Sequence, residues 1–140
     1  MRTQKGQITL LSTVPLFEAL NDRELELLSR RVRRLHAEPG DILVLEGQRG
    51  REFFVILSGQ AAVMHDDDTV ATLRTGDWFG ELALLANAPR NATVAALTPM
   101  ELFVLDDSEF SALLRELPQL ARKLLAGMAR RVRQADALVG

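Results

Sequence analysis

Between residues 33 and 105, apolar runs of four or five residues alternate with short breaks, a rhythm that points to a β-fold. The runs are Ile42-Leu43-Val44-Leu45, Phe53-Phe54-Val55-Ile56-Leu57, Gln60-Ala61-Ala62-Val63-Met64, Val70-Ala71-Thr72-Leu73, Thr93-Val94-Ala95-Ala96-Leu97 and Glu101-Leu102-Phe103-Val104-Leu105. The early breaks are Pro39-Gly40-Asp41, Gly47-Gln48-Arg49-Gly50 and Ser58-Gly59; Asp66-Asp67-Asp68 and Thr75-Gly76-Asp77 follow. An amphipathic helix needs about ten or more residues of 3.6-residue periodicity, which such short runs do not contain. Turn residues at intervals near ten positions predict a β-sandwich or jelly roll.

Helical periodicity appears on either side of this region. Asn21-Asp22-Arg23-Glu24 reads as an N-cap with a glutamate three residues on. Leu25, Leu28, Val32 and Leu35 follow at helical spacing, and the helix is expected over about residues 22 to 31. The basic run Arg30-Arg31-Val32-Arg33-Arg34 reads as a solvated helix face leading into a strand, because apolar residues interrupt it and no aromatic accompanies it. Pro15 suits a first helical turn. Residues 1–13 read as a flexible arm and 14–140 as one domain, with the roll at about 33–105 and C-terminal helices at about 107–138. Asp106-Asp107-Ser108-Glu109 opens the first of those helices with negative charge at its N-terminus. After Pro118, Leu120, Leu124, Met128, Val132 and Ala135 form a helical stripe. Arg122, Lys123, Arg130, Arg131 and Arg133 lie mostly off it, as a solvated face would.

The chain's 140 residues suffice for a real core, and 47% hydrophobic with 26% charged residues is ordinary for a globular domain. Seventeen basic against 19 acidic residues give no global drive toward nucleic acid or anionic membranes. No run approaches the roughly 18 apolar residues of a membrane span. Cysteine is absent, which excludes disulfides and thiolate metal sites and fits a cytoplasmic setting.

The chemistry concentrates in Phe79-Gly80-Glu81-Leu82-Ala83-Leu84-Leu85, followed shortly by Pro89-Arg90-Asn91-Ala92-Thr93. Gly80 lets backbone approach a ligand closely. The segment from Glu81 to Ala86 has good helix formers but only enough length for one or two turns. Its free N–H groups suit an anion, and Arg90 offers a permanently charged planar fork that matches phosphate. Glu81 accepts hydrogen bonds only, so beside a phosphate it makes sense facing a sugar hydroxyl.

This segment resembles the phosphate-binding cassette of the cyclic nucleotide-binding domain family, which includes catabolite activators, protein kinase A regulatory subunits and cyclic-nucleotide-gated channels. The resemblance is specific at the cassette and looser over the rest of residues 14–138. It implies a mainly β fold: a double-stranded β-helix, or jelly roll, with N-terminal helices, a short cassette helix and C-terminal helices. It implies a regulatory module that performs no reaction, holds cAMP or cGMP as ligand and needs no cofactor. Glu81 is then expected on the ribose 2′-hydroxyl and Arg90 on the exocyclic phosphate oxygens. Backbone near Gly80, Leu82, Ala83 and Asn91 would complete the cradle, and Met64 and Leu73 are candidates for the base wall. Asn91 departs from the Ala, Ser or Thr usual at its position, so base preference stays open, with cAMP favoured as the commoner ligand. The resemblance makes the C-terminal helix the moving part and the contact for a second copy or an effector domain. The rival readings are an interaction module of the same fold without nucleotide dependence, or the sensor fragment of a larger transcription factor, channel or enzyme.

Other chemistries find little support in the residues. His36 and His65 sit on different predicted strands, so no metal site is expected, and Asp66-Asp67-Asp68 reads as a solvated hairpin turn. No Gly-Lys-Ser/Thr follows Gly80, and no serine-nucleophile motif is present. The sequence stops at Gly140, so a helix-turn-helix reader and nucleic acid as a partner are not expected within it.

Overall fold

The computed structural model describes residues 2–139, with side chains from 6 to 131. It divides into two compact units: Arg31–Phe110, and Met1–Arg30 together with Ser111–Gly140.

The first unit is a sandwich of eight antiparallel strands. One sheet runs β1 (Arg33–Ala37), β8 (Met100–Asp106), β3 (Glu52–Ser58), β6 (Trp78–Phe79); the other runs β2 (Ile42–Val44), β7 (Thr93–Ala96), β4 (Ala61–His65), β5 (Asp68–Leu73). Sequence neighbours are mostly not sheet neighbours, as in the expected jelly roll. The six apolar runs all become strands. β3 and β8 pair along most of their length at the middle of the first sheet and are buried on both faces, hence their near-continuous apolar residues. Phe54, Ile56, Leu102 and Val104 face Val44, Val94 and Ala96 across the inter-sheet core, and Phe79 stacks on Phe54 at 4.7 Å. Full burial of such side chains contributes about 1.5–3 kcal/mol each.

β1 carries charge where a strand is hard to recognise. Arg34 pairs with Phe103 in register and lies 5.5 Å from its ring, and its guanidinium reaches Glu101 at 3.0 Å. Arg33 pairs with Glu52 and reaches Asp106 at 3.4 Å. Leu35, placed by periodicity on the preceding helix, belongs instead to this strand. The β4–β5 connection is a two-residue turn, with Asp66 and Asp67 at φ 51° and 70° and His65 paired to Asp68.

In the helical unit, α2 (Asp22–Arg31) has the expected bounds. Its capping box is closed: the Asn21 N–H donates to Glu24 and the Glu24 N–H donates to Asn21 Oδ1, both at 2.9 Å. Residues 1–13 depart from expectation. Helix α1 (Arg2–Ser12) replaces the flexible arm, because Leu11 is fully buried and the Gln7 amide donates to the Ser29 carbonyl at 2.8 Å. Pro15–Phe17 forms a single 3-10 turn. Lys123 of α5 (Pro118–Val139) donates to the Pro15 carbonyl at 3.1 Å and pairs with Glu18. Leu120 and Leu124 of the expected stripe are buried and Met128 is half-buried. Val132 and Ala135, with Arg133, lie outside the residues whose side chains are described. Among the described residues no helix is long and apolar enough to cross a membrane.

A surface network on the first sheet surrounds a histidine with carboxylates. His36 contacts Glu101 through Nδ1 and Glu38 through Nε2, the latter at 2.7 Å, while Arg34 shares Glu101. The hydrogen bond to Glu101, then that to Glu38, raises the imidazole from 6.5 to about 8. A raised folded-state pKa stabilises most below the unfolded value, so this contribution is full below pH 6.5 and lost as pH rises through about 8. Thermal melts of the parent should therefore fall in midpoint between those pH values by more than melts of His36→Gln. Parallel profiles for the two proteins would remove His36 from the pH response.

Candidate functional site

β6 ends at Phe79, and the chain turns sharply through Gly80 into helix α3 (Glu81–Leu85). Gly80 caps the helix at φ 97°, a left-handed conformation that side chains disfavour. A Cβ there would also meet the Glu52 carbonyl at 2.7 Å and Arg90 Nη1 at 2.9 Å. Glycine is therefore required twice over. It turns the chain, and it leaves space for a guanidinium.

Arg90 reaches that space from the far side of the helix. Its backbone is fixed by the segment after β2: the Gly47 N–H donates to the Arg90 carbonyl and the Arg90 N–H to the Gln48 carbonyl, each at 2.8 Å. Arg49 bridges Pro89 beside them. The side chain is only 8% exposed. Nη1 donates to the Gly80 carbonyl at 2.9 Å and Nη2 to the Glu52 carbonyl at 2.8 Å. These bonds use two of five N–H donors. Among the described residues no carboxylate lies within ion-pair distance of Arg90. Burial pushes the guanidinium down from its ordinary range, against the opposing fields of Glu52 and Glu81. Arg90 is thus a largely dehydrated cation held by neutral oxygens, with donors to spare, a setting that favours an anion.

Glu81, the first residue of α3, is 3% exposed. Ala83 is buried too, whereas Leu82 and Asn91 are exposed. The structure therefore brings Gly80, Glu81 and Arg90 into one small region, with Ala83 on the same short helix.

The two base-wall candidates separate. Leu73 lies opposite Ala61 and packs on the inter-sheet core. Val63 packs on that core as well, and strand alternation turns the adjacent Met64 to the other face. Val63, not Met64, shares the face of Leu73. Gly50 was legible only as a turn residue. A Cβ on it would fall 1.9 Å from Arg90 Nε and 2.0 Å from Cζ, so its bare backbone forms the floor under the guanidinium. Nothing local marks this role, because Gly50 and Arg90 are distant in sequence.

Known proteins share this fold. The family model for the cyclic nucleotide-binding domain matches residues 34–116. A cAMP-dependent protein kinase regulatory subunit of Hypocrea atroviridis is 34% identical over 113 residues, covering 81% of this chain and 24% of that one. A cGMP-dependent protein kinase of Toxoplasma gondii is 31% identical over 125 residues, covering 89% and 12%. Among solved structures, the regulatory subunit of a cAMP-independent protein kinase A from Trypanosoma brucei superposes with a TM-score of 0.84 at 25% identity, covering 96% of this chain and 50% of that one. The chain spans a minor part of these two kinase-related relatives.

Gly50 has no left-handed requirement, so Gly50→Ala should fold while forcing Arg90 out of its seat. The Arg90 guanidinium Nε resonance in NMR spectra should shift and exchange faster with solvent, with the melting midpoint little changed. An Nε signal identical to the parent's would show that Gly50 does not support Arg90.

Proposed function

This chain belongs to the cyclic nucleotide-binding domain family, and we propose that it binds a 3′,5′-cyclic nucleotide at Gly80, Glu81 and Arg90 and relays the binding to its C-terminal helix. The observation that carries this reading is Arg90: a buried guanidinium on two backbone carbonyls, without a carboxylate partner among the described residues. A cyclic phosphate carries one negative charge and two exocyclic oxygens, which match the remaining donors of the fork. Glu81, buried at the start of α3, accepts from the ribose 2′-hydroxyl. Backbone near Gly80, Leu82, Ala83 and Asn91 completes the phosphate cradle, and Leu73 with Val63 offers an apolar wall for the base. cAMP is the favoured ligand, and cGMP is the competitor to test, since kinases named for each occur among the relatives. The module performs no reaction; it regulates an effector domain or a second copy through α5.

Arg90→Ala should weaken cAMP binding by about 1.5–3 kcal/mol in calorimetric titrations, and Arg90→Lys should restore only part of that because the two-pronged geometry is lost. In a cycle of Glu81→Gln against 2′-deoxy-cAMP, the two changes should cost less together than the sum of each alone. A folded Arg90→Ala protein that binds cAMP as tightly as the parent would sink the assignment.

The rival reading keeps the fold and drops the nucleotide. The similarity to a subunit of a cAMP-independent kinase favours considering it. The same titration decides, since absence of heat with both cAMP and cGMP would favour the interaction module.

A ligand moves a conformational equilibrium only by its differential affinity for the two states. If α5 answers the nucleotide, saturating ligand should change hydrogen-exchange protection both in residues 79–91 and in residues 119–138. Protection confined to the first segment would leave a binding site without the relay.

A further inference from the structure

The roll carries two histidines, each between two carboxylates, and the two settings differ in what balances the charge. His36 sits between Glu38 and Glu101, but Arg34 reaches Glu101 at 3.0 Å and supplies a fixed cation. His65 closes β4, with Nδ1 3.1 Å from Glu46 Oε2 and Nε2 3.5 Å from Asp66 Oδ2. Among the described residues neither Glu46 nor Asp66 pairs with a lysine or arginine. Two carboxylates against one imidazole leave this cluster negative whether or not the ring is protonated. The sequence separates Glu46 from His65 by the whole of β3 and β4. Only the packing of the segment after β2 beside the β4–β5 turn joins them.

We propose that Glu46, His65 and Asp66 form a binding site for a divalent transition-metal ion of the zinc class. One donor atom from each residue lies within 4.8 Å of the others. The 3.1 Å between His65 Nδ1 and Glu46 Oε2 is close to the edge, about 3.4 Å, of a tetrahedron with metal–ligand bonds of 2.1 Å. One imidazole nitrogen with two carboxylate oxygens suits zinc better than calcium or magnesium, which take oxygen ligands almost alone. The site is open to solvent, leaving room for water as a fourth ligand. Its parts are already joined, the Asp66 N–H donating to Glu46 Oε1 at 3.3 Å. The Glu46 N–H is held by Thr93 Oγ1 at 3.0 Å, and His65 is held by strand pairing with Asp68. Glu46 directly precedes Gly47 and Gln48, whose backbone groups bond that of Arg90. The ion would therefore tie the hairpin turn to the segment that positions Arg90.

The test is a titration of the 140-residue chain with zinc chloride in a non-coordinating buffer near neutral pH, followed by calorimetry and by imidazole NMR resonances. The expected result is one zinc per chain, with the His65 resonances shifted and those of His36 unmoved. Glu46→Gln and His65→Ala should each weaken binding by at least about 10-fold, the scale on which even outer partners of a metal act, while His36→Ala binds as the parent does. Absence of both heat and a His65 shift would overturn the site. So would binding that survives both variants or follows His36 instead. The NMR readout uses the unaltered chain, so the conclusion does not depend on a variant folding.

Discussion

A guanidinium withdrawn from water needs oxygen, and Arg90 takes it from the carbonyls of Glu52 and Gly80. One side chain thereby joins the start of β3, the cap of α3 and the strand entry after Pro89. Its backbone adds the segment after β2. The neutral carbonyls orient Arg90 without cancelling its charge. A carboxylate in their place would have made a satisfied buried pair with little left for a ligand. The use of backbone oxygen leaves the guanidinium's charge and its remaining donors in place.

The rest of the roll makes that seat rigid. Phe54 and Phe79 stack across the β3–β6 pair, so the strand that delivers Gly80 is tied to the strand that begins at Glu52. On the other face of β3, Phe53 lies 6.0 Å from Trp78 and 4.8 Å from Phe110. α3 itself is only five residues long, too short to persist on helix propensity. It is held by what flanks it: the left-handed turn at Gly80 and the bond from the Ala88 N–H to the Ala83 carbonyl at 3.2 Å. Close approach replaces bulk throughout this region. Gly50 and Gly80 each give up a side chain so that Arg90 can fill the space.

Much of this is legible in the sequence. The six apolar runs are strands, the Asn21–Glu24 capping box starts α2, and Pro118 separates α4 (Asp107–Glu116) from α5. These signals are local: a period, a cap or a turn within a few residues. The misses are of the opposite kind. β1 looked like charge because its arginines and histidine are neutralised by residues of β3, β8 and the loop after β1. β6 has two residues and no period to read. α1 looked like an arm because its anchor, Ser29, lies on another helix.

From the sequence alone came the residue types and their order: short strands, a short helix entered through glycine, a glutamate and an arginine nine positions apart. These follow from backbone sterics and side-chain chemistry that act over a few residues. Tertiary structure alone decided that Arg90 rests on carbonyls, that Gly50 lies beneath it, that Val63 accompanies Leu73, and that Glu46 meets His65. Each depends on segments brought together by burial of apolar surface. Burial rewards the total area removed from water and leaves no periodic mark on which distant residues come to touch.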